Sequence, residues 1–489
     1  YLMDRDAATP RKSNLKVITI TRQEPKVASL LDDVSSYELS ADRKKILVRR
    51  NDDLYVLDAG ARPPEKLSDM RVDLSDWKLH VDPREEWGQM YREAWRLERD
   101  YFYDRAMNGI DWPAMRRKYE PLASRVTDRQ ELADVLGQMI GELSALHMFV
   151  YGGDAPSTVE RIETASLGAE LARDSRAGGY RVVHVYASDP DEPDGLSPLA
   201  RPGVDVRDGD VILEVNGDSA LSAPSLDALL RNTAGSQVRL RVRARRAGAE
   251  AGIRDVIVQP VSARGAFDLR YDEWEYTRRK MVDSLSHGRI GYVHLRAMGA
   301  ADIAQWERDF YPVFDRDALI VDVRGNNGGN IDSWILEKLM RRAWMFWQPR
   351  IGAPYWNMQQ AFRGPMTVLV NEHTASDGEA FAYGFRSLGL GKVIGTRTWG
   401  GEIWLSSSNV LVDRGIATAA ENGVYGPQSE WLIEGHGVDP DIVVDDTPHE
   451  TFEGRDAQLE AAVKALTAEL AQHPPSVPRP PKYPDKKTP

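Results

Sequence analysis

Residues 366–385 read MTVLVNEHTASDGEAFAYGF, and this stretch decides the fold of the C-terminal part of the chain. A short apolar run typical of a buried strand enters a tight turn, and a helix is expected to begin after Ser376. A hydroxyl at such a junction is exposed, and backbone N–H groups at the helix start converge beside it. Ser376 is therefore a candidate nucleophile, with the amide of Asp377 as an oxyanion donor. Alternatively, Ser376 only caps the helix and Glu379 completes a capping box.

A second apolar strand ends in a glycine-rich loop, ALIVDVRGNNGGN at residues 318–330. Glycines let a backbone approach a ligand closely, so Gly328 and Gly329 are candidates for the second oxyanion donor. No G-K-[ST] follows, which excludes a Walker phosphate loop, and the spacing differs from the dinucleotide fingerprint G-x-G-x-x-G.

A serine nucleophile needs a base, which is either a histidine or a lysine. His147, in GELSALHMFVYGGD at residues 141–154, is predicted to close a helix just before a strand-like segment. His436 is the main rival base, whereas His373 lies back along the turn from Ser376. Lys392 is the nearby lysine, and it precedes the relevant strand.

The rest of the chain predicts a multidomain α+β protein, because 489 residues exceed what one hydrophobic core holds. Short alternating strands resemble one β-propeller blade, or a small β-meander, and helical periodicity of 3.6 residues follows. A β domain and an α/β region with near-continuous apolar strands come next, and the tail is rich in proline. The expected segments are a blade remnant at 1–70, a helical bundle at 71–158, a β domain at 159–263, an α/β catalytic domain at 264–473 and the tail at 474–489.

Composition excludes several classes of function. A net charge of −12 argues against a nucleic-acid-binding face, and the absence of cysteine excludes disulfides, thiolate zinc sites and cysteine nucleophiles. No apolar run is long enough for a transmembrane helix, and the first residues have no apolar signal core. No metal or organic cofactor is expected, since no H-E-x-x-H or similar spacing occurs.

Residues 167–243 resemble a PDZ domain, with strands YRVVHVYA, DVILEVNG and QVRLRVR and a helix predicted at SLDALLRN. The resemblance implies that Leu167, Gly168 and Ala169 lie where such domains hold a peptide carboxylate on backbone N–H groups. Alternatively, the domain is structural and its own chain fills the groove.

Residues 363–401, together with WLIEGHGVDPDI at 431–442, resemble the catalytic domain of the tricorn protease family and its bacterial homologues. The resemblance extends over nearly all of the chain in domain order. It implies that Ser376 is the nucleophile, His147 the general base and Glu434 the residue that orients the site, with Gly329 and Asp377 as oxyanion donors. Related C-terminal processing peptidases place a lysine after a T-x-G turn, where this chain has Gly401.

Two positions depart from the family pattern. The family has a serine directly before the catalytic histidine, and this chain has Leu146, so the link from Glu434 to His147 is direct, water-bridged or absent. The family can also use an aspartate after the glycine-rich loop to favour basic residues. Residues 344–360, WMFWQPRIGAPYWNMQQ, contain no acid, which favours an apolar or mixed pocket.

These observations predict a serine peptidase that hydrolyses short unfolded peptides. By resemblance, the chain is expected to form a hexameric homo-oligomer and to be cytoplasmic, with a periplasmic location as the alternative. Two other functions stay open: a PDZ-bearing peptide-binding scaffold whose catalytic domain has decayed, for which Leu146 is the main support, and a serine esterase on the same fold.

Overall fold

A computed structural model of the chain describes residues 1–5, 13–21, 24–78, 80–154, 162–245, 252–405 and 409–484. The chain divides into two compact units, Tyr1–Pro83 and Arg84–Pro489. The first unit therefore extends beyond the expected boundary at residue 70. The last five residues of the predicted tail lie outside the described residues.

The first unit consists of two antiparallel sheets of three strands each. Alternate residues on the central strand of the second sheet, Ile46 and Val48, are buried, as the period of two requires. The strands are β1 (Leu2–Arg5), β2 (Ser13–Thr19), β3 (Lys26–Leu31), β4 (Ser36–Leu39), β5 (Lys45–Arg50) and β6 (Asp53–Asp58).

The second unit begins with the predicted helices, which are α1 (Pro83–Tyr101), α2 (Trp112–Ala123) and α3 (Arg129–Gly141). The α3 helix begins after Asp128, whose carboxylate caps it by accepting a hydrogen bond from the Glu131 amide at 2.9 Å. The buried face of the helices packs on apolar residues from much later in the chain, including Ile403, Leu411 and Ala417. The helical region thus lies directly against these residues, which belong to the later, α/β part of the chain.

The β domain is a six-stranded sheet with the order β13-β12-β10-β9-β8, in which β11 pairs with β10. The predicted helix here is a five-residue 3-10 turn, Leu226–Leu230, between Pro224 and a left-handed Asn232. The strands are β7 (Val150–Tyr151), which lies outside this sheet, β8 (Ala169–Asp174), β9 (Gly179–Val185), β10 (Val211–Val215), β11 (Asp218–Ser219), β12 (Val238–Arg243) and β13 (Ile253–Val258).

The α/β domain has a parallel five-stranded sheet with the order β14-β15-β18-β19-β21. The first three of these strands are buried along their whole length, as their continuous apolar sequences predict. The strands are β14 (Ile290–His294), β15 (Ala318–Asp322), β16 (Met345–Trp347), β17 (Tyr355–Asn357), β18 (Met366–Val370), β19 (Gly391–Gly395), β20 (Ile416–Ala417) and β21 (Ile442–Val443), of which β16 and β17 form a hairpin and β20 pairs with β7.

Helices cover both faces of the parallel sheet. Apolar residues of α5, α6 and α7 pack on one face, and those of α4 and α9 pack on the other. The helices are α4 (Ala263–Ser286), α5 (Ala300–Phe310), α6 (Asp332–Met340), α7 (Asp377–Ser387), α8 (Pro448–Phe452) and α9 (Ala457–Gln472). Because parallel strands end at one edge, the loops after β15, β18 and β19 meet there, which is where open α/β sheets bind ligands. Within the described residues, no helix is long and apolar enough to cross a membrane.

Candidate active site

Ser376 lies between β18 and α7, at the strand-to-helix junction that the sequence predicts. Its backbone has φ 53° and ψ −127°, a sparsely populated region for a residue with a side chain. The turn is fixed from behind, because the Ala375 amide donates to the carbonyl of Asn326 at 2.9 Å and the Thr374 hydroxyl donates to the carbonyl of Val323 at 2.8 Å. Residues 371–376, called the nucleophile turn after the candidate Ser376, are therefore held in an unusual conformation by the loop after β15.

The glycine-rich loop touches Ser376 directly. A Cβ atom on Gly328 would lie 2.5 Å from the Ser376 Cβ and 3.0 Å from its Oγ, so only glycine fits. The Gly328 amide donates to the Asn326 Oδ1 at 2.8 Å and is therefore occupied. The amides of Gly329 and Asp377 donate to no residue in the described part of the chain. Among the three candidate oxyanion donors, the amides of Gly329 and Asp377 are therefore available to a ligand, and that of Gly328 is not.

The carboxylate of Asp377 joins the nucleophile turn to the start of α6. Its Oδ2 accepts hydrogen bonds from the amides of Ile331 at 2.7 Å and Asp332 at 3.1 Å. Burial, reinforced by the nearby carboxylate of Asp332, raises the pKa of Asp377 to about 7. The start of α6 and the nucleophile turn are thus one hydrogen-bonded unit.

Glu379 does more than complete a capping box. Its Oε2 accepts from the amides of Ser376 at 3.0 Å and Gly401 at 2.9 Å. Its Oε1 accepts from the Thr398 hydroxyl at 2.5 Å and the Gly400 amide at 2.7 Å. This buried carboxylate therefore connects Ser376 to the turn at residues 398–401, which reads T-W-G-G. Sequence reasoning missed this role, because three of its four partners lie about twenty residues downstream.

His147 does not close a helix, contrary to the prediction, because α3 ends at Gly141. The left-handed backbones of Ser144, φ 51°, and His147, φ 60°, are incompatible with a continuing helix. The His147 Nδ1 lies 2.7 Å from the carbonyl oxygen of Ile403. A carbonyl only accepts hydrogen bonds, so Nδ1 carries the proton, and Nε2, which has no hydrogen-bond partner among the described residues, keeps its lone pair.

The carboxylate of Glu434 reaches the base indirectly. Its Oε1 accepts from the Leu146 amide at 2.8 Å, and its Oε2 accepts from the amides of Glu402 at 2.8 Å and Ile403 at 3.2 Å. Glu434 therefore binds the backbone on both sides of the His147 contact. Leu146 contributes its amide here and does not connect the carboxylate to the imidazole through a side chain.

Two aromatic rings flank the imidazole of His147. The ring of Trp399 lies 6.1 Å away and that of Phe149 lies 6.2 Å away, between centroids, and both side chains are about 45% exposed. The Trp399 amide also donates to the carbonyl of Thr374, in the nucleophile turn, at 3.0 Å. Trp399 thus contacts both turns. No hydrogen bond joins Ser376 to His147 within the described residues; such bonds often form only once substrate is bound.

The rival bases have other partners. The exposed ring of His436 bonds to Asp439 through Nε2 at 2.7 Å, in a surface cluster with Arg397. His373 is 74% exposed, with Glu372 as its neighbour. Lys392 is exposed near the beginning of β19, at the opposite edge of the sheet from the nucleophile turn. His147 is therefore the base that the contacts favour.

A buried carboxyl group, that of Glu402, directly follows the turn that Glu379 binds. Glu402 is 2% exposed, and its Oε1 accepts from the Trp404 indole at 3.2 Å, whereas its Oε2 has no partner among the described residues. Burial, together with the carboxylates of Glu379 and Asp377, raises the pKa of Glu402 to about 9. Glu402 is therefore protonated at neutral pH.

The predicted carboxylate-binding loop of the β domain is covered. The Gly168 amide donates to the Ser166 hydroxyl at 3.1 Å, and Leu167 is fully buried. A Cβ atom on Gly168 would lie within 3 Å of side-chain atoms of Ser197 and of Leu269, which is on α4. Ala169, the first residue of the edge strand β8, is half-buried beside them. These contacts favour the alternative in which the chain itself fills the groove.

Three family models match the chain. Residues 289–444 match peptidase family S41, residues 83–141 match the tricorn protease C1 domain, and residues 165–263 match the tricorn protease PDZ domain. The catalytic, helical and β segments each have a counterpart in this set.

Curated relatives match across nearly the whole chain. Tricorn protease homolog 1 of Streptomyces coelicolor is 36% identical over 464 residues, which are 93% of this chain and 42% of that protein. The tricorn protease of Thermoplasma acidophilum is 32% identical over 451 residues, or 91% of this chain and 40% of that protein. The chain thus spans about two-fifths of the length of these relatives.

The crystal structure of the tricorn protease has a similar fold. It superposes with a TM-score of 0.82 at 29% identity, covering 94% of this chain and 44% of that one. The helical, PDZ and catalytic regions share this architecture of mixed helices and sheets.

Proposed function

We propose that this chain, which belongs to the tricorn protease family of serine peptidases, hydrolyses peptide bonds with Ser376 as the nucleophile and His147 as the general base. One observation supports this most strongly: Ser376 has a strained backbone beside two amides, those of Gly329 and Asp377, that donate no other hydrogen bond in the described part of the chain. An ordinary helix cap needs neither the strain nor the free donors.

The reaction is acyl transfer in two halves. The His147 Nε2 takes the proton of the Ser376 hydroxyl, and the Oγ attacks the carbonyl carbon of the scissile peptide bond. The Gly329 and Asp377 amides bind the oxygen as it becomes negative. The C–N bond then breaks as His147 protonates the leaving amine. Water, deprotonated by His147, hydrolyses the ester on Ser376 and releases the acid product.

In this proposal Glu434 orients the base, as in the family, but it does so through backbone amides and not through a serine side chain. The Ile403 carbonyl, rather than a serine side chain, receives the Nδ1–H of His147, and Glu434 binds the amides on either side of this contact. A backbone carbonyl fixes the tautomer and the ring plane without a charged partner. Leu146 is therefore compatible with a working base, which weighs against the decayed-scaffold alternative.

Substrates and assembly are also part of the proposal. Short unfolded peptides and a hexameric, cytoplasmic assembly follow from the family resemblance. The exposed aromatic side chains on the β16–β17 hairpin, including Trp347 and Tyr355, and the absence of acids there support an apolar or mixed preference. A blade-like role for the first unit rests on the family resemblance alone, because each of its antiparallel sheets has three strands and a standard propeller blade has four.

The test is mass spectrometry of a mixed library of peptides of about 6–12 residues, incubated with the chain and with Ser376→Ala. Cleavage by the first alone is expected, and the cut sites then report the side-chain preference. Equal cleavage by both would remove Ser376 as nucleophile. Absence of cleavage by either would contradict the peptidase, and an ester panel on the same two proteins would decide whether the esterase replaces it.

A further inference from the structure

Residues 398–403, the bridging segment, lie between the nucleophile turn and the turn that carries the base. On one side, the Trp399 amide donates to the carbonyl of Thr374, two residues before Ser376. On the other side, the Ile403 carbonyl accepts from His147. The backbone of the bridging segment therefore bonds to the turn before Ser376 and to the imidazole of His147.

Two carboxylates hold the bridging segment. Glu379 accepts hydrogen bonds from three groups of the segment, the Thr398 hydroxyl and the amides of Gly400 and Gly401. Glu434 accepts from its last two amides, at Glu402 and Ile403. Four consecutive amides, residues 400–403, thus point at carboxylate oxygens.

Each carboxylate also binds one of the two catalytic turns. Glu379 accepts from the amide of Ser376, and Glu434 accepts from the amide of Leu146, which precedes His147. A side chain that served only as a helix cap would need the Ser376 amide alone. Three of the four bonds to Glu379 instead leave its helix.

We propose that Glu379 is a positioning residue of this active site: together with Glu434 it clamps the bridging segment and so sets Ser376 and His147 relative to each other. This inference rests on the proposed function. In the family pattern, the serine before the histidine and the glutamate orient the base through their side chains. In this chain, which has Leu146 at that position, the backbone of the bridging segment would orient it.

The physical basis is acceptor capacity. An ionised carboxylate has about four acceptor sites and no donor, which matches the four donors around Glu379. Glutamine of the same length offers one oxygen, and its NH₂ group would face N–H donors. The substitution therefore leaves buried donors unpaired and releases the turn that holds the nucleophile. Aspartate keeps the charge and the acceptors but reaches less far.

The experiment measures kcat and KM of Glu379→Gln, Glu379→Asp and Glu372→Gln on one peptide identified from the library. The rate at which a fluorophosphonate probe labels Ser376 is measured on the same proteins. Glu372 is the matched control, because it lies in the same turn and binds the Thr396 hydroxyl at 2.9 Å, outside the bridging segment. Circular dichroism and thermal unfolding give the folded fraction of each variant.

We expect E379Q to lose about 100-fold in kcat and in labelling rate, with KM changed by less than about threefold, since a misplacement near 1 Å costs about this much. E379D should retain more activity than E379Q, and E372Q should match the unaltered chain. A kcat for E379Q within about twofold of the unaltered chain, or a loss that only follows the unfolded fraction, would overturn the positioning role. Failure of the proposed function is separate, since Ser376→Ala would then cleave as well as the unaltered chain, or neither protein would cleave the library.

Discussion

Gly328 and Gly325 lie in the same loop and both have left-handed backbones, with φ of 83° and 69°, but of the two only Gly328 lies against Ser376. An added Cβ at Gly328 collides with Ser376, whereas at Gly325 its nearest neighbour is the Tyr271 hydroxyl at 3.6 Å. G328A is therefore expected to lower kcat by about 100-fold by displacing the Ser376 side chain.

The matched control for this change is G325A, which carries a similar backbone cost of about 1–2 kcal/mol without the collision. Steady-state kinetics and thermal unfolding of both variants separate the two effects. Equal activity losses in G328A and G325A would show that loop conformation, and not contact with Ser376, controls the rate.

The raised pKa of Glu402 makes stability depend on pH. In the unfolded chain this carboxyl group ionises near its usual value of 4.5, but in the folded protein it keeps its proton up to about 9. Between these values the unfolded chain binds fewer protons, so the free energy of unfolding falls as pH rises.

Replacing Glu402 by glutamine removes this titration. E402Q is expected to raise the free energy of unfolding by roughly 5 kcal/mol at pH 8 and by about 1 kcal/mol at pH 5, measured by urea unfolding at both values. Glu469→Gln, at an exposed position on α9, serves as the control. A gain that is the same at both pH values would contradict protonation as the cause.

At the scale of elements, the strand-to-helix junctions were predictable and the loop that carries the base was not. The apolar run before Ser376 and the apolar run before the glycine-rich loop are local signals. The strands that they predict, β18 and β15, both form. The helical periodicity before His147 is also local, but it cannot show that α3 ends at Gly141. The left-handed turn depends on partners such as Thr418, which lies far away in sequence.

The same reason explains the missed contacts of the site. A glutamate three residues after Ser376 predicts a cap, and nothing nearby indicates Gly400 or Gly401 as further donors. The occupied amide of Gly328 likewise depends on where the Asn326 side chain turns. The candidate site residues could therefore be picked out from the sequence, whereas their hydrogen-bond partners could be identified only from the tertiary structure.

A buried ion pair joins α3 to the segment before β20. The Arg129 Nε donates to the Asp413 Oδ2 at 2.6 Å, and both side chains are less than 5% exposed. R129M leaves the buried carboxylate without its cation and is expected to destabilise the protein by about 3–5 kcal/mol in urea unfolding.

Arg117 on α2 provides the comparison for this prediction. It forms an exposed pair with Asp111 at 4.0 Å, for which a change of at most about 1 kcal/mol is expected in R117M. Similar losses in R129M and R117M would show that burial of the Arg129 pair is not what stabilises this junction.

At the scale of the molecule, the PDZ domain is fixed to the catalytic domain by polar contacts. His184 bonds to Glu273 on α4 at 2.7 Å, Arg308 on α5 lies 3.0 Å from Glu192, and Asp189 bonds to Arg279. Leu269 of α4 also approaches Gly168 closely. Together these contacts dock the PDZ domain on the rest of the second unit.

Removal of one such contact should loosen the docking. R279M leaves the carboxylate of Asp189, which is 15% exposed, without its cation, and limited proteolysis at residues 186–195 is expected to become roughly tenfold faster. Arg231→Met, at an exposed position of the same domain, should leave the rate unchanged. An unchanged rate in R279M would mean that the apolar contacts alone hold the domain.

The bridging segment also sets when, during synthesis, the proposed active site can first be complete. His147 leaves the ribosome long before Ser376, and the carboxylate of Glu434 that secures the base emerges last of all. At about 5–20 residues per second, the interval between His147 and Glu434 is roughly 15–60 s. Throughout that interval the nascent chain has a base without its anchor, and a prematurely terminated chain never acquires it. Under the proposed function, a partly made copy that ends before Glu434 is therefore expected to have no peptidase activity.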